Sequence, residues 1–201
     1  MKFSPCAPAI LEAALPARGR ILEIGCGEGD LLAHLASLGR FDLTACEPDG
    51  RRAERAERRS GLPVVQARAE ALPFPDASFD AVILECVFSL CSSAETLREL
   101  TRVLRPTGRA VVADLFESPS GSCLELSNSR MLRYLIPRSE FEDLFLKDFT
   151  LSQFRDFSPA LRQMFVQMLM EGKLCDCVGS TELPLLRAAK PGYGLWIWTK
   201  R

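Results

Sequence analysis

The sequence contains little of what several large protein classes require. His34 is the single histidine among 201 residues, which excludes mechanisms that need a histidine pair. No apolar run approaches the roughly 20 residues that span a membrane. The segment Met1 to Cys6 lacks the apolar core of a signal peptide. The chain also has no internal repeat and no low-complexity tract. A single domain with a sizeable core is therefore expected from this length.

The net charge and the number of cysteines indicate the kind of partner and the cellular compartment. The net charge is −1, so no overall field attracts nucleic acid or an anionic membrane. Eight cysteines without an export signal are typical of reduced thiols rather than a disulfide framework. We therefore expect a cytoplasmic protein that has neither nucleic acid nor a membrane as its partner.

A glycine-rich stretch organises the first part of the chain. The apolar run Ile21 to Ile24 predicts a short buried strand, and Gly25, Gly27 and Gly29 follow it at alternate positions. Residues 31–38 then take helical spacing and stop at Gly39. Strand, glycine turn and helix begin a βαβ unit whose loop lets a nucleotide-like ligand approach the backbone.

The acids near this loop bear on the choice of ligand. A dinucleotide fingerprint requires glycine at position 30, where the sequence has Asp30, and Glu23 precedes the first glycine by two residues. Pyrophosphate prefers a helix N-terminus without nearby carboxylates. S-adenosylmethionine (SAM) carries an ammonium and a sulfonium instead, so the acids favour SAM over NAD.

The motif Glu23-x-Gly25-x-Gly27-x-Gly29 resembles that of class I SAM-dependent methyltransferases of the small-molecule type. The stretch from Leu72 to Asp80 and the turn from Arg102 to Arg109 also match the family, although Thr107 replaces a glycine. The resemblance covers about residues 15–115. It implies SAM as cofactor, S-adenosylhomocysteine as product and a small-molecule substrate.

The resemblance also assigns the cofactor site. Glu47, 18 residues after Gly29, corresponds to the acid that binds ribose hydroxyls at the end of the second strand. Arg68 stands where the family usually has an aspartate that contacts adenine, which leaves the Ala69 backbone N–H as the expected contact. The implied cofactor residues are Glu23, Gly25, Cys26, Gly27, Gly29, Glu47, Pro48, Ala69 and Glu85.

The implied fold is α/β, with a Rossmann-like seven-stranded, mostly parallel sheet and helices on both faces. We expect an antiparallel last strand at the sheet edge and a helical lid from the C-terminal third. Residues 1–19 would form an N-terminal helix or lid, 20–115 the SAM-binding core, and 116–201 the substrate-side lid and edge strands. The strands are expected near 21–24, 41–46, 63–67, 81–84, 110–115, 149–154 and 192–199, and the helices near 7–15, 31–38, 51–59, 94–104 and 159–172.

No residue can be assigned as catalytic from the pattern alone. Glu85 and Cys86 are the candidates because they follow the fourth strand, where ligands bind in such sheets. His34 lies within the first long helix, away from the strand ends, so we expect a packing or surface role.

The cysteines provide an alternative substrate hypothesis. The segment Glu85 to Leu90 resembles one in arsenite methyltransferases, whose cysteine there binds trivalent arsenic. A soft metalloid or metal would then be held by Cys86, Cys91, Cys175 and Cys177, with Cys123 near the same opening. The other interpretation is that these cysteines pack as small apolar residues. Three rivals to small-molecule methyl transfer remain: arsenite-like methylation, a catalytically silent SAM-binding protein, and an NAD oxidoreductase.

Overall fold

A computed structural model describes residues 4–117, 135–170 and 190–201. In chain order its elements are α1 (Pro8–Ala13), β1 (Gly19–Ile24), α2 (Asp30–Ser37), β2 (Phe41–Cys46), α3 (Gly50–Ser60), β3 (Val64–Val65), β4 (Phe79–Glu85), a 3₁₀ turn (Phe88–Leu90), α4 (Ser93–Val103), β5 (Leu104–Phe116), α5 (Arg138–Phe145), β6 (Phe149–Asp156), α6 (Ser158–Met170) and β7 (Gly192–Lys200). No described helix is long and apolar enough to cross a membrane.

The strands form one seven-stranded sheet in the order β3-β2-β1-β4-β5-β7-β6. Neighbours from β3 to β5 pair in parallel, whereas β7 pairs antiparallel with both β5 and β6. The chain order reverses between β1 and β4, which leaves a crevice outside their carboxyl ends where ligands of such folds bind. The predicted sheet, parallel with an antiparallel last strand, is confirmed.

Alternating side chains of the strands fill two cores, one on each face of the sheet. Ile21, Ile83 and Val111 pack with Leu35 of α2 and Leu161 of α6 on the first face. On the second face, Leu22, Leu84, Val112 and Trp196 pack with Phe141 of α5. Because both faces are covered, the central segments 81–84 of β4 and 110–113 of β5 are apolar at every position rather than alternating in polarity.

The predicted edge position of the last strand is wrong. β7 lies between β5 and β6, and β6 forms the edge instead. Residues 192–198 of β7 are all buried, while in β6 only Phe149 is buried and the other residues are partly or fully exposed. Trp196 and Trp198 face the second core and Tyr193 faces the first, so this strand requires cover on both sides.

Two further boundaries differ from the predictions. The third strand is only Val64–Val65, and β5 starts at Leu104 so that it includes the predicted turn at Pro106 to Gly108. Of the region expected to form a lid, residues 118–134 and 171–189 lie outside the described residues. Helix α5 packs directly on the sheet, with the Phe141 ring stacked 4.4 Å from that of Trp196.

Candidate functional site

The glycine loop sits at the carboxyl end of β1 and is fixed to the neighbouring strand. The N–H groups of Gly25 and Cys26 both donate to the Cys46 carbonyl, at 2.8 and 3.1 Å. Gly25, Gly27 and Gly29 all have positive φ, at 68°, 58° and 81°. The alternate glycines are therefore required by the backbone conformation of the loop.

The three glycines differ in the space around the position where a Cβ atom would lie. A Cβ on Gly25 would lie 2.5 Å from the Val87 side chain, and one on Gly29 would lie 2.7 Å from the backbone of Ala56. A Cβ on Gly27 would meet nothing within 4 Å. Gly25 and Gly29 therefore allow close packing within the protein, while Gly27 faces the open crevice.

Three buried carboxylates surround this opening. Glu23 near the end of β1, Glu47 after β2 and Glu85 at the end of β4 are 3%, 4% and 7% exposed. Burial raises the pKa of the Cys26 thiol well above its ordinary value, and the negative charges of Glu23 and Glu47 raise it further. The edge of the sheet is thus an electronegative site suited to a cationic ligand.

Glu47 is held by the loops that it joins. Its Oε2 accepts a bond of 2.9 Å from the Gly27 N–H, and its Oε1 accepts one of 3.2 Å from Asp49 N–H. Pro48 follows it on the surface, and Asp49 caps α3 by accepting from Arg52 N–H. The carboxylate therefore lies directly beside the open face of Gly27.

The loop after β3 is clamped from behind by α4. Ala69 is buried, whereas the Arg68 side chain is 69% exposed and pairs with Glu70 at 3.1 Å. Below it, the N–H of Leu72 donates to Glu99, and Arg102 bonds the carbonyl oxygens of Leu72 and Phe74. The Arg68 side chain is therefore turned to solvent, and the Ala69 N–H stays the predicted adenine contact.

Cys86 has a strained backbone at the end of β4. Its φ is 56°, a conformation that side chains with a Cβ rarely adopt, and its N–H donates to the Ala113 carbonyl at 2.8 Å. Its Sγ lies 3.4 Å from the Tyr193 hydroxyl, which in turn lies 3.1 Å from Ser4 Oγ. Burial raises the pKa of Tyr193 well above its ordinary value, so the phenol stays protonated.

The cysteines that could bind a metalloid are not gathered in the part of the chain that the structure describes. Cys86 packs against the first core and Cys91 against the second, across the sheet. Burial raises the pKa of Cys91 to about 12, with Glu70 and Asp114 adding to the effect. Cys123, Cys175 and Cys177 lie outside the described residues. Within those residues no three cysteine, histidine or acidic side chains could together hold a metal ion.

Two other polar side chains, His34 and Asp114, make contacts that hold elements of the fold together. His34 Nε2 lies 3.0 Å from Glu12 Oε2 and joins α2 to α1, in agreement with the predicted packing role. Asp114 was not predicted: it is fully buried in β5 and accepts from both the N–H and the hydroxyl of Ser89. A lone acid within the apolar run from Ala110 to Phe116 was the available signal.

Comparison with known families identifies the core. Residues 22–112 match the family model described as "Methyltransferase domain". This segment belongs to the class I SAM-dependent methyltransferases. The match begins within β1 and ends within β5, so it includes the glycine loop, Glu47 and the end of β4.

Named relatives share the methyltransferase segment. The 27-O-demethylrifamycin SV methyltransferase of Amycolatopsis mediterranei is 34% identical over 131 residues, which are 60% of this chain and 48% of that protein. The demethylmenaquinone methyltransferase of Beutenbergia cavernae is 40% identical over 102 residues, covering 50% and 42%. The chain thus spans about half the length of the curated relatives it matches.

A solved structure extends the fold match across the chain. Geranyl diphosphate C-methyltransferase of Streptomyces coelicolor, crystallised with S-adenosyl-L-homocysteine, aligns with a TM-score of 0.79 at 14% identity. The alignment covers 96% of this chain and 79% of that one. At this identity the likeness concerns the fold alone, and it includes β6 and β7 beyond the methyltransferase segment.

Proposed function

We propose that this protein transfers a methyl group from SAM to a small-molecule acceptor. The observation that carries the proposal is the open face of Gly27 beside Glu47, at an edge where Glu23 and Glu85 are also buried. A loop without a Cβ at this point can accept a nucleoside against its backbone, and carboxylates suit the hydroxyl and cationic groups of SAM. The residues proposed for the cofactor are those predicted from the sequence, with Glu47 as the ribose contact.

From the described residues we also infer what the chain contributes to the reaction. SAM supplies a methyl group already activated by its sulfonium. The protein must align the acceptor and keep water out. Glu85 and Cys86 end β4 beside the crevice, so they are placed to contact the acceptor, and Tyr193 fixes the Cys86 side chain. The cytoplasmic location and the lack of a nucleic-acid partner stay predictions from the composition.

The geometry of the site gives less support to the three alternative functions. An NAD pyrophosphate at the start of α2 would meet Asp30 in the first turn, and Glu47 already accepts the Gly27 N–H. Arsenite-like methylation would need thiols that the described residues do not bring together. A silent SAM-binding protein shares the cofactor site and differs only in turnover.

Calorimetric titration with S-adenosylhomocysteine tests the cofactor site through Glu47→Ala. Loss of a charge-assisted ribose contact should cost about 1.5–3 kcal/mol, or roughly ten- to a hundredfold in affinity. Glu54→Ala, at an exposed position on helix α3, serves as the control and should bind like the parent. Unchanged affinity in Glu47→Ala would remove this residue from the site. Release of S-adenosylhomocysteine from SAM with a panel of small acceptors then separates an enzyme from a silent binder.

A further inference from the structure

A second cavity opens along the same edge of the sheet. It has a volume of about 560 Å³ and lies at the carboxyl ends of β5 and β6. Because β7 runs antiparallel between these strands, β5 and β6 point in the same direction and end on the crevice side. The volume is within the range of pockets that bind small molecules. The cavity therefore neighbours the proposed cofactor site on the side beyond β4.

Two helices supply arginine residues to the lining of this cavity from opposite faces of the sheet. Helix α5 covers the face with the tryptophans, and its first residue, Arg138, lines the cavity. Helix α6 covers the other face, and Ser158 and Arg162 line the cavity from its first turns. Ser158 and Arg162 are four residues apart, so they share one side of α6. The two arginines thus flank one space.

Contacts behind Arg138 set its orientation in advance. Its Nε donates to Glu142 Oε1 at 2.7 Å, and its guanidinium carbon lies 3.8 Å from the centre of the Phe154 ring. Glu142 is itself fixed by a 3.0 Å bond from the Trp196 indole. A guanidinium held in this way loses little freedom when it binds a carboxylate or phosphate.

Two carboxylates in the lining define what else the ligand must carry. Asp156 accepts from the N–H and the hydroxyl of Ser158 and so caps α6. Glu117 also lines the cavity. The lining has two arginines and two carboxylates, and Glu142, which pairs with Arg138, adds a third carboxylate; binding of an anion therefore depends on direct bonds to the arginines and not on a net positive charge. The lining suits a ligand with one anionic group for the arginines and a hydrogen-bond donor for Glu117.

We infer that this cavity receives the methyl acceptor, and that the acceptor is a small organic molecule with a carboxylate or phosphate group bound by Arg138 and Arg162. The identification of the ligand as the methyl acceptor rests on the proposed methyl transfer. The existence of the anion site does not depend on it. The apolar part of the ligand would lie beside Phe116, at the end of β5 next to β4.

Ligand-observed NMR titration with matched probes tests the site. The carboxylate probe is 4-hydroxybenzoate and the phosphate probe is phenyl phosphate, with methyl 4-hydroxybenzoate and phenol as their neutral counterparts. We expect at least one acid to bind roughly tenfold or more tightly than its counterpart, since charge-assisted bonds are lost in the neutral molecule. The stronger of the two acids identifies the anionic group.

Variants then locate the binding. Arg138→Gln and Arg162→Gln should each weaken the acid by about tenfold, whereas Arg58→Gln, an exposed arginine on α3, should not. If Arg138→Gln is unfolded by circular dichroism, Arg162→Gln decides, because Arg162 lies on the exposed side of α6. Equal binding of acids and neutral probes, no binding of either acid, or unchanged affinity in Arg162→Gln would each overturn the inference.

The experiments on the anion site and those on the proposed methyl transfer can succeed or fail independently. Calorimetry with S-adenosylhomocysteine reports on Glu47 and the glycine loop alone. If S-adenosylhomocysteine binds and neither acid does, only the anion site is wrong. If an acid binds through Arg162 and S-adenosylhomocysteine does not bind, methyl transfer is wrong while the anion site stands.

Discussion

Gly27 and Gly39 form a natural comparison at the scale of single residues. Both have positive φ, at 58° and 63°, and a Cβ at either position would meet nothing within 4 Å. Alanine at either site should therefore cost a similar amount of folding free energy, about 1 kcal/mol, from the left-handed backbone alone. Only Gly27 faces the crevice, so only its methyl would occupy the space proposed for the ligand.

We predict that Gly27→Ala binds S-adenosylhomocysteine at least tenfold more weakly, while Gly39→Ala binds like the parent. Urea unfolding should show equal destabilisation of the two variants, which excludes a general loss of structure. Equal affinities in the two variants would mean that Gly27 does not contact the ligand.

Thr107 is a residue whose backbone does not suit its side chain. Its φ is 62° at an exposed position, where related methyltransferases were expected to have glycine. Thr107→Gly should raise the free energy of unfolding by about 0.5–1 kcal/mol, because relief of the left-handed strain exceeds the extra entropy of an unfolded glycine. Urea unfolding followed by tryptophan fluorescence would measure this, since both tryptophans are buried in β7. Thr107→Ala keeps the Cβ, so an equal gain there would contradict the explanation.

One ion pair on helix α4 attaches this helix to the loop that follows β3. Arg102 binds both oxygens of Glu99, at 3.0 and 2.7 Å, and also the loop carbonyls of Leu72 and Phe74. Arg102→Met should destabilise the fold by about 2–3 kcal/mol, since Glu99 would be left without its bidentate partner. Arg98→Met, on the exposed side of the same helix, is the matched control and should be near neutral.

The same pair predicts a dependence on pH. The bond from Arg102 lowers the pKa of Glu99 in the folded chain below its ordinary 4.5. The folded state therefore binds fewer protons at this site, so the stabilisation is complete above pH 4.5 and is lost as the pH falls through the lowered pKa. The gap in unfolding free energy between the parent and Arg102→Met should narrow below that pH. A constant gap would show that Glu99 is not the titrating partner.

Elements with local signals were predictable from the sequence. The strand over 41–46 and the helix after it agree with the structure because apolar runs, Pro48 and Gly61 mark their ends. The position of β7 was not predicted, although its unbroken apolar run contrasts with the alternation of β6, which is typical of an edge. The contact between Cys86 and Tyr193 joins residues 107 positions apart, and no local pattern specifies such a pair. The convergence of Arg138 and Arg162 likewise depends on two helices that pack on opposite faces.

At the scale of the whole molecule, ligand binding should raise thermal stability. S-adenosylhomocysteine at 100 times its Kd should add about 2.7 kcal/mol to the free energy of unfolding. For a chain of this length that corresponds to a rise in Tm of roughly 5–10 °C. NADH at the same concentration should leave Tm unchanged, and Glu47→Ala should reduce the rise with S-adenosylhomocysteine. A shift with NADH alone would favour the oxidoreductase instead.

The place of β7 within the sheet has a consequence for biosynthesis. Ribosomes add residues in order, so a nascent chain carries β1 to β6 before any of β7 exists. Until then β5 exposes an unpaired edge, and Phe141 and Phe145 lack the indole rings of Trp196 and Trp198. Open edges beside apolar rings favour aggregation. The nine residues of β7 therefore close the sheet only after β6 and α6 have been translated, and chaperones would be needed most in the interval before that.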